Sequence, residues 1–169
     1  TCTAADQISI APGYLEREWT ENGRRCFQYK MDTPILNFYA TLSARYEVTR
    51  AKHNGVKLEI YHIPEHTFAL PSMLQASKDG LDYFGKNFSP YLYRQYRIIE
   101  FPRYGGFAQA FPNTIPYSEG IGFIYRKEEG DDKVDFAYFV TAHELAHQWW
   151  GHQVVGGNGQ GSTMFSEGL

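Results

Sequence analysis

The stretch His143-Glu144-Leu145-Ala146-His147 restricts the fold of this chain more than any other. On an α-helix, residues four apart lie about 40° apart around the axis and one turn apart along it. Both imidazoles can then converge on one ion, and Glu144 sits on the same broad side, close enough to reach a water on that ion. This is the physical content of H-E-x-x-H: two ligands and a base beside the water they activate. A structural histidine pair in a core helix is the competing reading. It leaves unexplained an acid between the two rings and another, Glu167, shortly after them.

Zinc takes neutral imidazoles and a carboxylate in tetrahedral array, so one zinc ion needs a third protein ligand. His152 lies about 180° around the helix from His143, on the wrong side. A metzincin-type third histidine would require Gly at 150 and His at 153, where Trp150 and Gln153 stand. Glu167 is the better candidate. Gly156, Gly157, Gly159 and Gly161 make a flexible connection, and a second helix starting near Ser162 could fold Glu167 back on His143 and His147. A solvated surface glutamate is the bland alternative.

The rest of the chain predicts an α+β fold. Residues 1–24 show little periodicity, with a turn at Pro12-Gly13. From Arg25 to about Lys52 the chain is rich in Tyr, Phe, Val and Thr in the manner of strands, and His53-Asn54-Gly55 suits a hairpin turn. Val56, Leu58, Ile60 and His62 alternate with Lys57, Glu59 and Tyr61, as in a half-buried strand. Leu74, Leu81, Phe84 and Phe88 recur at helical spacing behind Pro71, which predicts a helix over about 70–88. A strand follows at 96–101, then short strand pieces divided by Pro112 and Pro116. A solvated loop is expected at 128–133, and a helix from Asp135 to about Trp150.

Composition narrows the function further. A net charge of −3 with no run of Lys or Arg argues against a nucleic-acid partner. Cys2 and Cys26 lack C-x-x-C spacing, so no cysteine zinc site is expected; a disulfide and two separate thiols both remain open. No segment approaches the roughly 18 apolar residues that span a bilayer.

His143-Glu-Leu-Ala-His-Gln-Trp-Trp-Gly151 is similar to the zinc helix of the aminopeptidase N family of gluzincin metallopeptidases, in which a Glu-Gly like Glu167-Gly168 supplies the third ligand. This chain places 19 residues between His147 and Glu167, one more than is usual there. The family also carries a G-A-M-E-N strand whose Glu binds the substrate's α-amino group. Residues 115–124, IPYSEGIGFI, resemble it, with Glu119 at the acid position, Pro116 for the first Gly and Gly120 for the Asn. The resemblance implies that 1–65 end an N-terminal β domain and that 66–169 begin a thermolysin-like zinc peptidase domain. FPNTIPYSE and HQWWGHQVVGG most resemble the branch fused to bacterial transporter-permease-like membrane proteins, which implies a membrane-embedded parent.

The function so implied is a zinc aminopeptidase acting on peptides with a free N-terminus. In it His143, His147 and Glu167 bind the metal, Glu144 is the general base and Glu119 holds the terminal ammonium. A tyrosine that stabilises the oxyanion, and a helical domain walling the pocket, are expected beyond Leu169, so the 169 residues alone are expected to be poorly active. Two rivals stand beside this reading. One is a non-catalytic, zinc-stabilised sensing or docking domain of a transporter assembly, against which the intact Glu144 argues. The other is a thermolysin-type endopeptidase, which would have no use for an amine-binding Glu119.

Overall fold

Two asparagine–glycine pairs set the hairpins of the first half. In the computed structural model, which describes residues 1–126, 134–157 and 159–168, Asn22-Gly23 and Asn54-Gly55 all have positive φ. That conformation lets two-residue turns match the right-handed twist of their strands. Asn22-Gly23 joins β3 (Tyr14–Glu21) to β4 (Arg24–Lys30), and Asn54-Gly55 joins β6 (Glu47–His53) to β7 (Val56–His62). The little-patterned first 24 residues hold three strands: β1 (Cys2–Ala4), β2 (Ile8–Ile10) and β3. β1 and β3 flank β4, and β2 pairs with β5 (Leu42–Ala44). Cys2 and Cys26 face each other across β1 and β4 and form a disulfide.

The strand expected through residues 31–41 is absent. That segment contains Pro34 and runs irregularly, leaving Leu36, Phe38 and Tyr39 about half exposed. No strand pairs with it, and an unpaired ladder is not held.

β7 continues into α1 (Leu70–Asn87), β8 (Gln95–Phe101) and β9 (Thr114–Ser118), building a sheet of order β6-β7-β8-β9. β7, β8 and β9 run parallel, and β8 and β9 are buried at every position. The reason is that both faces are covered, as parallel strands require. On one face Leu58, Ile60, Ile98 and Ile115 pack with α1 and α2 (Phe136–Ala146); on the other Tyr61 and Ile99 pack with Ile10. The division expected after residue 65 runs between β7 and β8, hydrogen-bonded neighbours of one sheet; the change of sheet comes between β5 and β6.

α1 and α2 approach closely at Gly80. A β-carbon there would lie 2.6 Å from Leu145 Cδ2, so no larger residue fits without displacement. Asp135 caps α2, accepting from the Tyr138 N–H and from Ser72 Oγ of α1. The α-helix ends at Ala146, short of the expected Trp150, because the chain tightens into i→i+3 bonds from Gln148 to Leu145 and from Trp149 to Ala146. Trp149 and Trp150 then pack on Phe84, Phe88 and Tyr91, and Trp149 Nε1 donates to Ser89 O. α3 (Ser162–Glu167) follows the glycine-rich connection; Ser162, expected as its N-cap, is instead its first residue, and Gly161 is the N-cap with no side-chain capping bond. The loop expected at 128–133 lies outside the described residues.

Candidate metal centre

His143 occupies the last turn of α2 and His147 caps its end. Their Nε2 atoms lie 3.2 Å apart, and Glu167 Oε2 is 3.5 Å from each. Ligand atoms held tetrahedrally at about 2.0–2.2 Å from one zinc are separated by about 3.3–3.6 Å. The three spacings therefore fit an ion of that size. His147 Nδ1 donates to the Trp150 carbonyl at 3.1 Å, so the neutral ring turns a bare Nε2 lone pair toward His143 and Glu167. The tightened turn after Ala146 brings that carbonyl within reach. His143 is held below its ordinary pKa by burial first and by the neighbouring His147 second, which favours the unprotonated ring a metal needs.

Glu144 lies beneath this trio, buried between α2 and the sheet. Burial first, then the charge of Glu167, raises it to about 7; a cation held by the trio would pull it back down. Its Oε2 is buried without a hydrogen-bond partner among the described residues, as are the hydroxyls of Tyr96, Tyr117 and Thr141.

The connection from β8 to β9 supplies an edge beside the helix end. Residues 107–111 run antiparallel to β9: Gln109 N–H donates to Pro116 O, and Ser118 N–H to Phe107 O. Pro112-Asn113, with Asn113 at φ 54°, turns this segment into β9. Gln148, fully buried, locks the hairpin to the helix end. Its Oε1 accepts from Asn113 N–H at 2.8 Å and its Nε2 donates to Phe111 O at 3.0 Å. His152 points at the same edge, donating from Nε2 to Ala110 O, and takes no place among the three donor atoms. Sequence reasoning does not pick out Gln148, and it reads 107–111 only as a short strand piece, not as an edge beside the helix end. A hairpin signal was present at Pro112-Asn113, but the two prolines read as breaks.

Glu119 is not brought to this cluster. It begins a single 3-10 turn, Glu119–Ile121, at the far end of β9, six residues beyond Asn113. At about 3.3 Å per strand residue that is about 20 Å along the strand. There it accepts from Arg103 N–H and groups with His66 and Glu100. β9 is also not the outer strand that the expected peptide-binding role requires, because 107–111 covers its free edge. Tyr117 is buried beneath α2.

The chain matches no protein-family model. It is 34% identical to human (Homo sapiens) endoplasmic reticulum aminopeptidase 2 over 104 residues, covering 60% of this chain and 11% of that protein. Against endoplasmic reticulum aminopeptidase 1 of Rattus norvegicus it is 26% identical over 150 residues, 88% of this chain and 15% of the relative. Glutamyl aminopeptidase of Bos taurus is 31% identical over 109 residues, 64% of this chain and 11% of the relative. This chain is a distant homologue of aminopeptidases. It spans only 11–15% of the length of these relatives. Among the described residues no helix is long and apolar enough to cross a membrane.

Proposed function

We propose that this chain carries the metal-binding part of a zinc metallopeptidase that acts on peptides, with His143, His147 and Glu167 as ligands of one zinc ion and Glu144 as general base. The observation that carries the reading is the set of three donor spacings, 3.2, 3.5 and 3.5 Å, with a buried carboxyl beside it. His143, His147 and Glu167 would hold the zinc, which would supply Lewis-acid chemistry, polarising a scissile carbonyl and acidifying a water. Glu144 takes that water's proton on its carboxylate and returns it to the leaving amine. Its lack of a competing hydrogen bond at Oε2 leaves that oxygen free for the transfer. Trp150 O keeps His147 in the ligating tautomer. The segment 107–111 offers a peptide a strand edge, since Ala108, between two residues that bond to β9, turns its own N–H and C=O away from it.

The aminopeptidase form of the reading rests on the homologues and not on Glu119, which groups with His66 and Glu100. The resemblance of FPNTIPYSE and HQWWGHQVVGG supports a transporter-permease-like membrane parent, which recovery of the native protein in the membrane fraction would test. We read β6 onward as the peptidase unit. The test of the site is zinc content: protein purified without added metal should carry zinc, and Glu167→Ala should weaken it by at least about 100-fold. Removing a residue that only orients a ligand already costs about 10–100-fold. A Glu167→Ala protein with undiminished zinc affinity would remove Glu167 from the ligand set. A zinc-loaded native protein that cleaves neither free nor N-acetylated peptides would point to a sensing or docking domain.

A further inference from the structure

The parallel strands β7, β8 and β9 deliver three metal-donor side chains to one place at their carboxyl ends. His66 comes from the connection after β7, Glu100 from the last turn of β8 and Glu119 from the residue after β9. One ligand atom from each lies within 4.8 Å of the others. Glu100 is almost wholly buried, its side chain 1% exposed, whereas His66 and Glu119 are partly open. The carboxylates line a cleft of about 300 Å³, closed on one side by β5 and by Tyr46, whose hydroxyl donates to Glu100 O.

The polar bonding of this set is incomplete. Glu100 Oε2 accepts from Ile63 N–H at 2.7 Å and its Oε1 contacts His66 Nδ1; Glu119 Oε1 accepts from Arg103 N–H. Among the described residues no Lys or Arg pairs with either acid, and the one imidazole bonds to Glu100 alone. A buried carboxylate whose one charged partner is an imidazole favours a further proton or cation. Burial first, with Glu119 a lesser contributor, holds Glu100 above the ordinary carboxylate range.

We propose that His66, Glu100 and Glu119 form a second divalent metal site, separate from the His143 trio and taking a zinc-type first-row ion. One imidazole and two carboxylates suit such an ion, and calcium, which takes oxygen ligands only, is a poorer match. Binding requires the direct His66–Glu100 contact to open to about 3.3 Å, the spacing of two atoms on one zinc. His66 has room for this because it is only partly buried.

The experiment is a calorimetric titration of the chelator-stripped full chain with Zn²⁺, with ions per chain confirmed by elemental analysis. The wild type is expected to take two ions. A His143→Ala/His147→Ala protein should keep one, and Glu119→Gln in that background should weaken the remaining ion at least tenfold. Glu119→Gln is mild, because Glu119 is partly exposed and the amide oxygen can still accept from Arg103 N–H. The proposal is overturned if the wild type takes a single ion that His143→Ala/His147→Ala abolishes, or if the remaining ion is insensitive to Glu119→Gln. Failure of the peptidase reading leaves a different signature: His143→Ala/His147→Ala would then leave the count unchanged while Glu119→Gln still acted.

Discussion

The two histidine–carboxylate sets are distinct groups, built from the same residue types by different means. His143 and His147 are four residues apart on one helix end, and their ring nitrogens face each other with His147 already oriented by Trp150 O. His66, Glu100 and Glu119 come from three separate strand ends, and two of them already bond to each other. The donor atoms of the first set already stand at the spacing of ligands on one ion, whereas His66 and Glu100 are closer than that and must part. A ligand set prepared in advance binds more tightly than one that must first break a bond, so the first set should fill at lower metal concentration. The support beneath the first set is uneven, however. Its histidines rest on a helix anchored by buried Ala137, Thr141, Glu144 and Leu145, while Glu167 rides on a six-residue α3 that buries no side chain among the described residues.

The largest expected effect separates base from ligand. Glu144→Gln in a hydrolytically active protein should lower turnover by about two to four orders of magnitude and leave both ions bound; loss of metal along with activity would make Glu144 a ligand and break the comparison. Next comes the lock between the edge and the helix end. Gln148→Ala deprives Asn113 N–H, a group buried at the start of β9, of its acceptor. It should cost about 1–3 kcal/mol in urea unfolding, and it should weaken the first ion while sparing the second. Equal weakening of both would mean the two sets are not independently supported. A smaller effect concerns α3. A helix so short is not stable by itself, so zinc should slow amide exchange at residues 163–167 and leave the exchange of β8 unchanged. The smallest is Glu119→Gln on peptide choice: the ratio of cleavage of free to N-acetylated peptides should stay within about twofold, because Glu119 is remote from the trio. A collapse of that ratio would restore the amine-binding role.

What the sequence disclosed follows from how far apart the interacting residues are. The convergence of His143 and His147 is written in a four-residue spacing, and the alternation at 56–62 reports one sheet face. α1 was legible from Leu81 and Phe84, though its tightest contact, Gly80 against Leu145, carries no periodic signal. β1 to β3 were missed because they are short or exposed strands whose pattern reports no single buried face. The strand piece at 107–111 was legible, but its pairing with β9 was not, because Pro112 reads as a break, whereas it turns the hairpin. The motif resemblance put Glu119 at the amine-binding position, whereas the fold sets it beside His66 and Glu100. Where Glu119 goes depends on strand order, which no local spacing encodes. Pairing of Cys2 with Cys26 was likewise open until the register of β1 on β4 set them opposite each other.

The central claim is that His143, His147 and Glu167 share one ion. X-ray absorption at the zinc edge, on Glu119→Gln protein loaded with one equivalent of metal, tests it most directly. The account predicts two imidazole nitrogens and a carboxylate oxygen at about 2.0–2.2 Å, with the carboxylate contribution lost in Glu167→Ala. A shell of one imidazole with several oxygens, or a spectrum unchanged by Glu167→Ala, would contradict it.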